Sequence, residues 1–258
     1  MIKLTFLGTG TSHGVPMIAC ECRVCTSPNP RNHRTRTSAF LEYNGGCVLI
    51  DTPQEHRIQA IRNRIQRVDA LLLTHTHADH IHGLDDVRRY SQLHRKPVPC
   101  YGTPTTLDTV RRVFEYAFTE TPRGGGKPQI DLHPIDEDRA FPLFDIDVLP
   151  VPVWHGETPV LGFRFNGLAY VTDTNQIPPS SFERLKDLDV LVLDALRPRP
   201  HITHYSLYQA LDVVDRLRPK RAYFVHMTHD LDHEETNAWL GTLMEGVELA
   251  YDGLTITV

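Results

Sequence analysis

Three histidines and one aspartate stand in the run His75-Thr-His77-Ala-Asp79-His80, directly after the apolar residues 70–74. Alternate side chains of an extended segment point to the same side, so the first two histidines converge on one ion, while the aspartate and the third histidine begin a turn and face a second. Imidazole with carboxylate suits zinc, manganese or iron rather than calcium or magnesium, which prefer oxygen ligands. The run therefore predicts a site for two metal ions held side by side.

Three further apolar runs of the chain stop at a residue of the same kind, namely His155, Asp173 and His226. Sites in α/β proteins are commonly built where strand ends meet at one edge of a sheet. A single histidine at a strand end is more often a capping or packing residue. Four such ends in one chain, counting the histidine run, favour one shared metal site.

The five cysteines fall into two groups. Cys47 and Cys100 stand in strand-like apolar stretches, where a small buried thiol is expected. Cys20, Cys22 and Cys25 stand together, and in a reducing compartment they do not indicate a disulfide framework. They form either a metal-binding triad or a reduced surface cluster.

Composition limits the class of protein. The 258 residues are 40% hydrophobic, which supports one large domain spanning residues 1–258, and no apolar stretch is long enough to cross a bilayer. The first residues lack the pattern of a secretory signal, so we expect a soluble, cytoplasmic protein without a membrane partner. The net charge of -5 disfavours a nucleic-acid partner.

Residue periodicity predicts a mixture of strands and helices. Strands are expected at residues 3–7, 38–43, 47–51, 70–74, 145–153, 160–165, 168–172, 190–194, 222–225 and 254–258. Helices are expected at 54–66, 84–94, 105–117, 182–188, 206–217 and 234–243. Ile58, Ile61 and Ile65 mark the apolar face of the first helix, and the glycine-rich residues 121–128 predict a loop that could border a substrate. This order predicts an α/β fold of two mixed sheets packed face to face, with helices outside each.

The ligand pattern resembles that of the metallo-β-lactamase-fold hydrolases, in which His-x-His-x-Asp-His is followed by His, Asp and His. The resemblance covers essentially the whole chain and implies a four-layer αββα sandwich. It implies that one metal is held by His75, His77 and His155, the other by Asp79, His80 and His226, and that Asp173 bridges both. It also places Asp51 behind the ligands, a position that a simple strand-end cap would explain equally well.

Within that superfamily the chain resembles the PhnP-type phosphodiesterases of phosphonate breakdown. The resemblance is carried by the glycine turn at residues 8–16, the cysteine triad, residues 203–207 and residues 226–230. It implies a Cys-rich insertion with a separate structural zinc on Cys20, Cys22, Cys25 and His229, a donor set that suits tetrahedral zinc. It also implies that His204 acts near the scissile phosphate as general acid or phosphate ligand. The residues alone do not decide between His204 and His201, and His13 is interpreted as a satisfied loop histidine.

The sequence thus predicts a metal-dependent phosphodiesterase acting on small or cyclic phosphodiesters, such as phosphoribosyl 1,2-cyclic phosphate. Two divalent ions, zinc or manganese or else iron, would lower the pKa of a bridging water and hold the phosphoryl oxygens. Asp79 and Asp173 would tune the metals and orient the nucleophile, and His204 would assist the leaving group. The expected partner is a small phosphodiester substrate, and a homodimer stays open.

Three alternatives remain open at this stage. A thioester or other carbonyl hydrolase could use the same ion pair, although the cysteine triad and His204 count against it. An RNA-processing nuclease is disfavoured by the acidic charge and the lack of a basic arm. A carrier like the pyrroloquinoline-quinone protein shares the triad and the glycine turn but lacks an intact ligand run. The segment 96–138 looks longer than expected and leaves the substrate open.

Overall fold

Two sheets form the centre of the molecule in the computed structural model, which describes residues 1–120 and 126–258. With strands numbered in chain order, sheet one comprises β1 (Lys3–Gly8), β2 (Ser38–Tyr43), β3 (Gly46–Ile50), β4 (Ala70–Leu72), β5 (Val98–Gly102), β6 (Ile130–Pro134) and β14 (Thr255–Thr257). Sheet two comprises β7 (Phe141–Leu143), β8 (Ile146–His155), β9 (Thr158–Phe165), β10 (Leu168–Val171), β11 (Val190–Asp194), β12 (Arg221–Val225) and β13 (Val247–Leu249).

Both sheets are mixed. Sheet one has the order β14-β1-β2-β3-β4-β5-β6, antiparallel from β14 to β3 and parallel from β3 to β6. Sheet two has the order β13-β12-β11-β10-β9-β8-β7, parallel from β13 to β10 and antiparallel from β10 to β7. The parallel parts bring the carboxyl ends of several strands to the same edge, which is where sites are built in α/β folds.

Eight helices join these strands among the residues described: α1 (His56–Arg62), α2 (Ala78–Ile81), α3 (Arg88–His94), α4 (Pro104–Val113), α5 (Glu115–Phe118), α6 (Pro179–Arg184), α7 (Leu207–Leu217) and α8 (His233–Leu243). The best defined start is that of α7. The Ser206 side chain accepts from the backbone N–H of Gln209, whose own side chain accepts from the Ser206 N–H, a reciprocal capping box. Within the described part of the chain, we find no helix with the length and apolarity needed to cross a membrane.

The core confirms the four-layer αββα arrangement. Ile50 of β3 and Phe163 of β9 are fully buried in one cluster between the two sheets. Leu49, the neighbour of Ile50, belongs instead to the outer cluster of sheet one, which includes helix residues, and Leu191 of β11 belongs to the corresponding outer cluster of sheet two. Because alternate residues of a strand face opposite layers, each sheet is covered by helices on one side and by the other sheet on its second side.

Helix α1 differs from its prediction in length and in its buried face. It ends at Arg62, and its buried residues are His56 and Gln59, whereas Ile58 and Ile61 are exposed. The amide of Gln59 donates to the Thr35 hydroxyl oxygen at 2.9 Å and to a backbone carbonyl. The apolar face predicted from the isoleucines is therefore wrong, because polar anchoring by Gln59 rather than apolar burial sets the orientation of the helix.

Four short strands are absent from the predicted list: β5, β6, β7 and β13, although Cys100 of β5 was placed in a strand-like stretch. Each has five residues or fewer, and β6 alternates partly buried and exposed positions without a strong apolar signal. The predicted helix 84–94 begins with the 3₁₀ turn Leu84–Val87 before α3. Most of the predicted loop at 121–128 lies outside the described residues.

Candidate metal centre

The predicted ligands meet at the carboxyl ends of the parallel strands. Asp51 directly follows β3, and His226 directly follows β12. Asp173 follows β10 with one residue between them. All three have left-handed backbone conformations, with φ of 60°, 61° and 54°. This conformation turns the chain away from the strand axis at once, and it costs a non-glycine residue about 1–3 kcal/mol. Three such residues at one edge indicate that the aspartate and histidine side chains are kept there although the backbone conformation favours glycine.

The histidine run is anchored to both sheets through Thr74. The Thr74 N–H and hydroxyl donate to the two carboxylate oxygens of Asp51 at 2.8 and 2.7 Å, and the Thr74 carbonyl accepts from Leu161 of sheet two at 3.0 Å. Beyond it, His77 lies at the start of α2, the short helix that carries Asp79 and His80. The run therefore reaches the edge between the sheets as an extended segment followed by a turn.

Four of the predicted ligands form one tight buried set: Asp79, His80, Asp173 and His226. Their candidate ligand atoms all lie within 4.8 Å of one another. His80 Nε2 is 3.3 Å from Asp173 Oδ2 and 3.5 Å from Asp79 Oδ2, and His226 Nδ1 is 3.2 Å from Asp173 Oδ2. Two ligand atoms at about 2.0–2.2 Å from one tetrahedral ion stand roughly 3.4 Å apart. The spacing is that of donors around a single ion.

The other predicted ligands lie beside this set. The ring centroids of His75 and His77 are 4.6 Å apart, and that of His155 is 5.9 and 5.1 Å from them. His75 and His155 are buried, whereas His77 is exposed at the mouth of the site. The tight second set joins His155 to Asp173 and His204 rather than to the two other histidines. Asp173 belongs to both tight sets, the position that a bridging ligand requires.

Several groups behind the ligands hold them in place. The Asp51 carboxylate lies 2.7 Å from His80 Nδ1, which leaves His80 Nε2 to face the cluster. The carbonyl of Thr203 lies 2.8 Å from His155 Nδ1, and the Thr172 hydroxyl donates to Asp173 Oδ2 at 2.6 Å. Asp51 thus both caps its strand end and orients a histidine, in the way that carboxylates orient metal-binding imidazoles.

Divalent metals fit this cluster on the chemistry of its donors. Among the described residues, His75 Nε2, His80 Nε2 and His226 Nδ1 are buried without a hydrogen-bond partner, although buried polar atoms are nearly always paired. Burial lowers the pKa of His226 to about 4, against the opposing effect of Asp173, so this ring is neutral and offers a free lone pair. Burial also lowers the pKa of His75 well below its usual value.

The carboxylates give the centre a negative potential. Burial alone would lower the pKa of His80, but Asp173 and Asp51 raise it well above its ordinary value. Burial would raise the pKa of Asp173, yet His226 and His80 hold it well below its ordinary value. A cation is therefore stabilised between these groups, whether it is a proton on His80 or a metal ion in its place.

His204 is the general-acid candidate that the structure brings to the cluster. Its Nδ1 lies 3.0 Å from Oδ2 of Asp194, which is fully buried at the end of β11. Burial opposes its protonation, but Asp194, Asp173 and Asp79 raise the pKa of His204 to about 9. His204 thus carries a proton at neutral pH, and Asp194 fixes the orientation of its ring through Nδ1.

The rival histidines are placed differently. His201 lies with its ring 5.3 Å from that of His204, and its Nδ1 is engaged by the Thr203 hydroxyl at 3.1 Å. His13 is exposed on the loop after β1.

Asp194 was missed by sequence reasoning, although it ends the apolar run of β11 just as Asp51 ends that of β3, and that signal could have found it.

A second cluster joins Cys20, Cys22, Cys25 and His229. The His229 Nδ1 lies 3.1 Å from the first of these sulfur atoms and 3.4 Å from each of the other two. Donor atoms of a zinc ion bound by thiolate and imidazole stand about 3.5 Å apart, so the set fits one tetrahedral ion. A hydrogen bond from the Cys25 N–H, opposed by burial, lowers the pKa of the Cys22 thiol to about 6, whereas burial raises that of Cys25 to about 11.

The buried side chain of Arg34 ties the cysteine cluster to the rest of the fold. Its guanidinium donates to the carbonyls of Thr228 and Leu231 at 2.9 and 2.7 Å, on either side of His229. Its backbone pairs with Val15, on the loop that precedes the cysteines. The segment that carries His229 is thus fixed by the protein itself.

The family is established by comparison with known proteins. Residues 47–227 match the β-lactamase superfamily domain, so the chain belongs to this superfamily. The solved structure of a new diphosphatase from the PhnP family superposes with a TM-score of 0.92 at 43% identity, covering 100% of this chain and 98% of that one. The chain is therefore a PhnP-like protein of the metallo-β-lactamase fold, and its predicted family is confirmed.

Two curated relatives have different names. An octanoyltransferase from Porphyromonas gingivalis is 35% identical over 256 residues, which cover 98% of this chain but 51% of the relative. This chain thus spans about half the length of that protein. A ribonuclease Z from Mycobacterium bovis is 26% identical over 238 residues, covering 83% of this chain and 77% of the relative.

Proposed function

We propose that the protein is a metal-dependent phosphodiesterase that hydrolyses small or cyclic phosphodiesters, with phosphoribosyl 1,2-cyclic phosphate as an example of the class. The observation that carries the proposal is the pair formed by His204 and Asp194 beside a cluster of buried histidines and carboxylates. A phosphodiester needs stabilisation of its phosphoryl oxygens and a proton for its leaving oxygen. The cluster suits the first need and His204 the second.

Two divalent ions fit the donors. One would be held by Asp79, His80 and His226, the other by His75, His77 and His155, with Asp173 shared between them. Such ions polarise phosphoryl oxygens and lower the pKa of water. The donors suit zinc, manganese or iron, and a third ion, zinc, would occupy the cysteine cluster.

Two buried aspartates orient histidines of the site, and one exposed histidine marks its open side. Asp51 holds His80 through Nδ1, so that its Nε2 points to the shared carboxylate. Asp194 engages Nδ1 of His204, so that the proton on the opposite nitrogen faces a leaving alkoxide oxygen. The exposed position of His77 leaves the cluster open on the side from which a small substrate enters.

A second candidate is hydrolysis of a diphosphate bond, which is favoured by the PhnP-family diphosphatase at 43% identity. The two reactions differ in the leaving group. A phosphate leaves readily without protonation, whereas an alkoxide does not. The protonated His204 therefore favours the diester. The names of the other relatives suggest acyl transfer and RNA cleavage, for which the site offers no dedicated feature, and the net charge of -5 disfavours RNA.

A substrate panel tests the proposal on protein whose metal content has been measured. It comprises bis(p-nitrophenyl) phosphate, ribose 1,2-cyclic phosphate, nucleoside 2′,3′-cyclic phosphates, ADP-ribose and an octanoyl thioester. We expect the cyclic diesters to give the highest kcat/KM. A preference for ADP-ribose would replace the proposal by the diphosphatase, and one for the thioester by an acyl hydrolase. A protein that binds no metal in the histidine cluster would instead resemble a carrier.

A further inference from the structure

A groove with a volume of about 1300 Å³ lies on the outer face of sheet one, between α1 and α3. We call it the α1–α3 groove. Its floor includes Phe40 of β2 and Cys47 of β3, and Cys47 stands near the beginning of the strand whose opposite end leads to Asp51. The groove therefore lies outside the metal centre and shares none of its ligands.

Positive charge lines both walls of this groove. Arg57 lies on α1, Arg64 just beyond α1, and Arg89 on α3. These three arginines are exposed, and no ion pair engages them within the part of the chain that the structure describes. The acidic residues of the lining are Glu42, which pairs with a lysine, and Asp86. An excess of cations in a chain of net charge -5 marks the groove as a distinct electrostatic region.

Apolar side chains stand among these arginines on the same two walls. Ile61 of α1 is 61% exposed and Leu93 of α3 is 48% exposed, and both line the groove. The partly buried Ile65 adds to the wall on the side of α1. Apolar side chains flanked by cations suit a ligand that is itself part apolar and part anionic.

A buried histidine points independently to a ligand. His56 lines the groove at 1% exposure, and neither of its ring nitrogens has a hydrogen-bond partner among the described residues. Burial lowers its pKa to about 4, so the ring is neutral and has one donor and one acceptor to offer. Leaving both unpaired is costly, and a bound group at the floor of the groove would remove part of that cost.

We propose that the α1–α3 groove binds an acidic amphipathic helix of a protein partner. The volume exceeds the roughly 300–1,000 Å³ of pockets for small molecules. The arginines stand on opposite walls instead of converging on one phosphate. A helix laid between the walls would place its apolar stripe on Ile61 and Leu93 and its acidic flanks beside Arg57 and Arg89. Exposed aliphatic side chains on both walls favour such a helix over nucleic acid, which binds through phosphates and base stacking.

The experiment uses the full chain and a fluorescein-labelled peptide of about 18 residues, with leucines three and four positions apart and glutamates elsewhere. We expect a Kd on the order of 10 µM by fluorescence anisotropy, weakening as salt is raised. The double variant Arg57→Glu/Arg89→Glu should weaken binding at least about tenfold, and Ile61→Asn should weaken it by several-fold. Arg112→Glu/Arg139→Glu, at two exposed arginines outside the groove, makes the same change of net charge as the double groove variant and should bind as the wild type does.

Two comparison ligands decide the outcome. A peptide of the same composition with scrambled order keeps the charge but loses the apolar stripe, and it should bind about tenfold more weakly. A single-stranded RNA of equal charge should compete poorly. Equal binding of the two peptides, no effect of the groove variants, or tighter binding of the RNA would each overturn the proposal. Thermal unfolding of every variant confirms that exposed substitutions leave the fold intact.

Discussion

The two candidate metal clusters are built in opposite ways. The ligands of the histidine cluster come from the ends of strands in both sheets, and nearly all are buried. The cysteine cluster takes three ligands from one short loop and is partly exposed, with only His229 coming from elsewhere. The first cluster is positioned by elements of both sheets and by the short helix α2. The second joins the cysteine loop to the segment of His229, and a bound ion would add to the ion pair that Arg23 of this loop makes with Glu235 of α8.

The largest expected effect comes from the shared ligand of the histidine cluster. We expect Asp173→Ala to abolish turnover, because the only carboxylate common to both tight sets is lost, and His77→Ala to do the same from the exposed side. Metal content by mass spectrometry should fall along with kcat. Activity within about tenfold of wild type in either variant would contradict the dinuclear site.

Replacing the general-acid candidate separates substrates by their leaving group. His204→Ala should cut hydrolysis of an alkyl or ribosyl diester on the order of 10² to 10⁴, because an alkoxide needs a proton. Hydrolysis of bis(p-nitrophenyl) phosphate should suffer much less, since nitrophenolate leaves without one. Both kcat values are measured on metal-loaded protein. Equal losses would show that His204 binds phosphate or supports the fold, and would return His201 to consideration.

The effect of Asp194 on His204 should be visible in the pH dependence of activity. As a general acid His204 would act in its protonated form, and although burial opposes protonation, the Asp194 carboxylate helps to raise the pKa of His204 to about 9. Activity on a ribosyl diester should therefore decline as the pH rises through the pKa of His204. Asp194→Asn removes the charge and should move that decline to lower pH by about 1 to 3 units. An unchanged alkaline limb of kcat would show that His204 does not supply the proton.

A substitution in the cysteine cluster should change the stability of the protein rather than its catalytic activity. Cys22→Ser should remove about one zinc ion per chain and lower the melting temperature, because the loop loses the ion that would join it to His229. The metal content of the histidine cluster should stay within error of wild type. Unchanged zinc stoichiometry would show that the triad binds no metal.

The convergence of the histidine cluster could be predicted from the sequence because each of its four ligand segments follows an apolar run. Runs such as those before Asp51, Asp173 and His226 become buried parallel strands whose ends share an edge, so adjacency in the fold follows from a local pattern. The central strands and the four-layer arrangement followed from the same signal. Where the pattern was strong, only the element ends shifted by a few residues.

The features that were missed depend on contacts between distant segments. The apolar run of β11 marks Asp194 as a strand-end residue, but only the structure shows that its side chain engages His204. The face of α1 was misassigned because Gln59 is held by Thr35, a partner 24 residues away. The short strands β6, β7 and β13 pair at sheet edges or beside loops, where few residues carry an apolar period.

The left-handed backbone at Asp51, Asp173 and His226 places a cost in conformational stability at the candidate metal centre itself. Glycine would adopt these conformations without steric cost, and alanine would not. Replacing one of these residues by glycine would therefore remove its side chain and relieve a backbone strain of about 1–3 kcal/mol. That relief is outweighed where the side chain is engaged, because removing the Asp51 carboxylate would leave the buried N–H and hydroxyl of Thr74 without an acceptor. The fold thus holds these residues against a local conformational preference through the contacts that their side chains make.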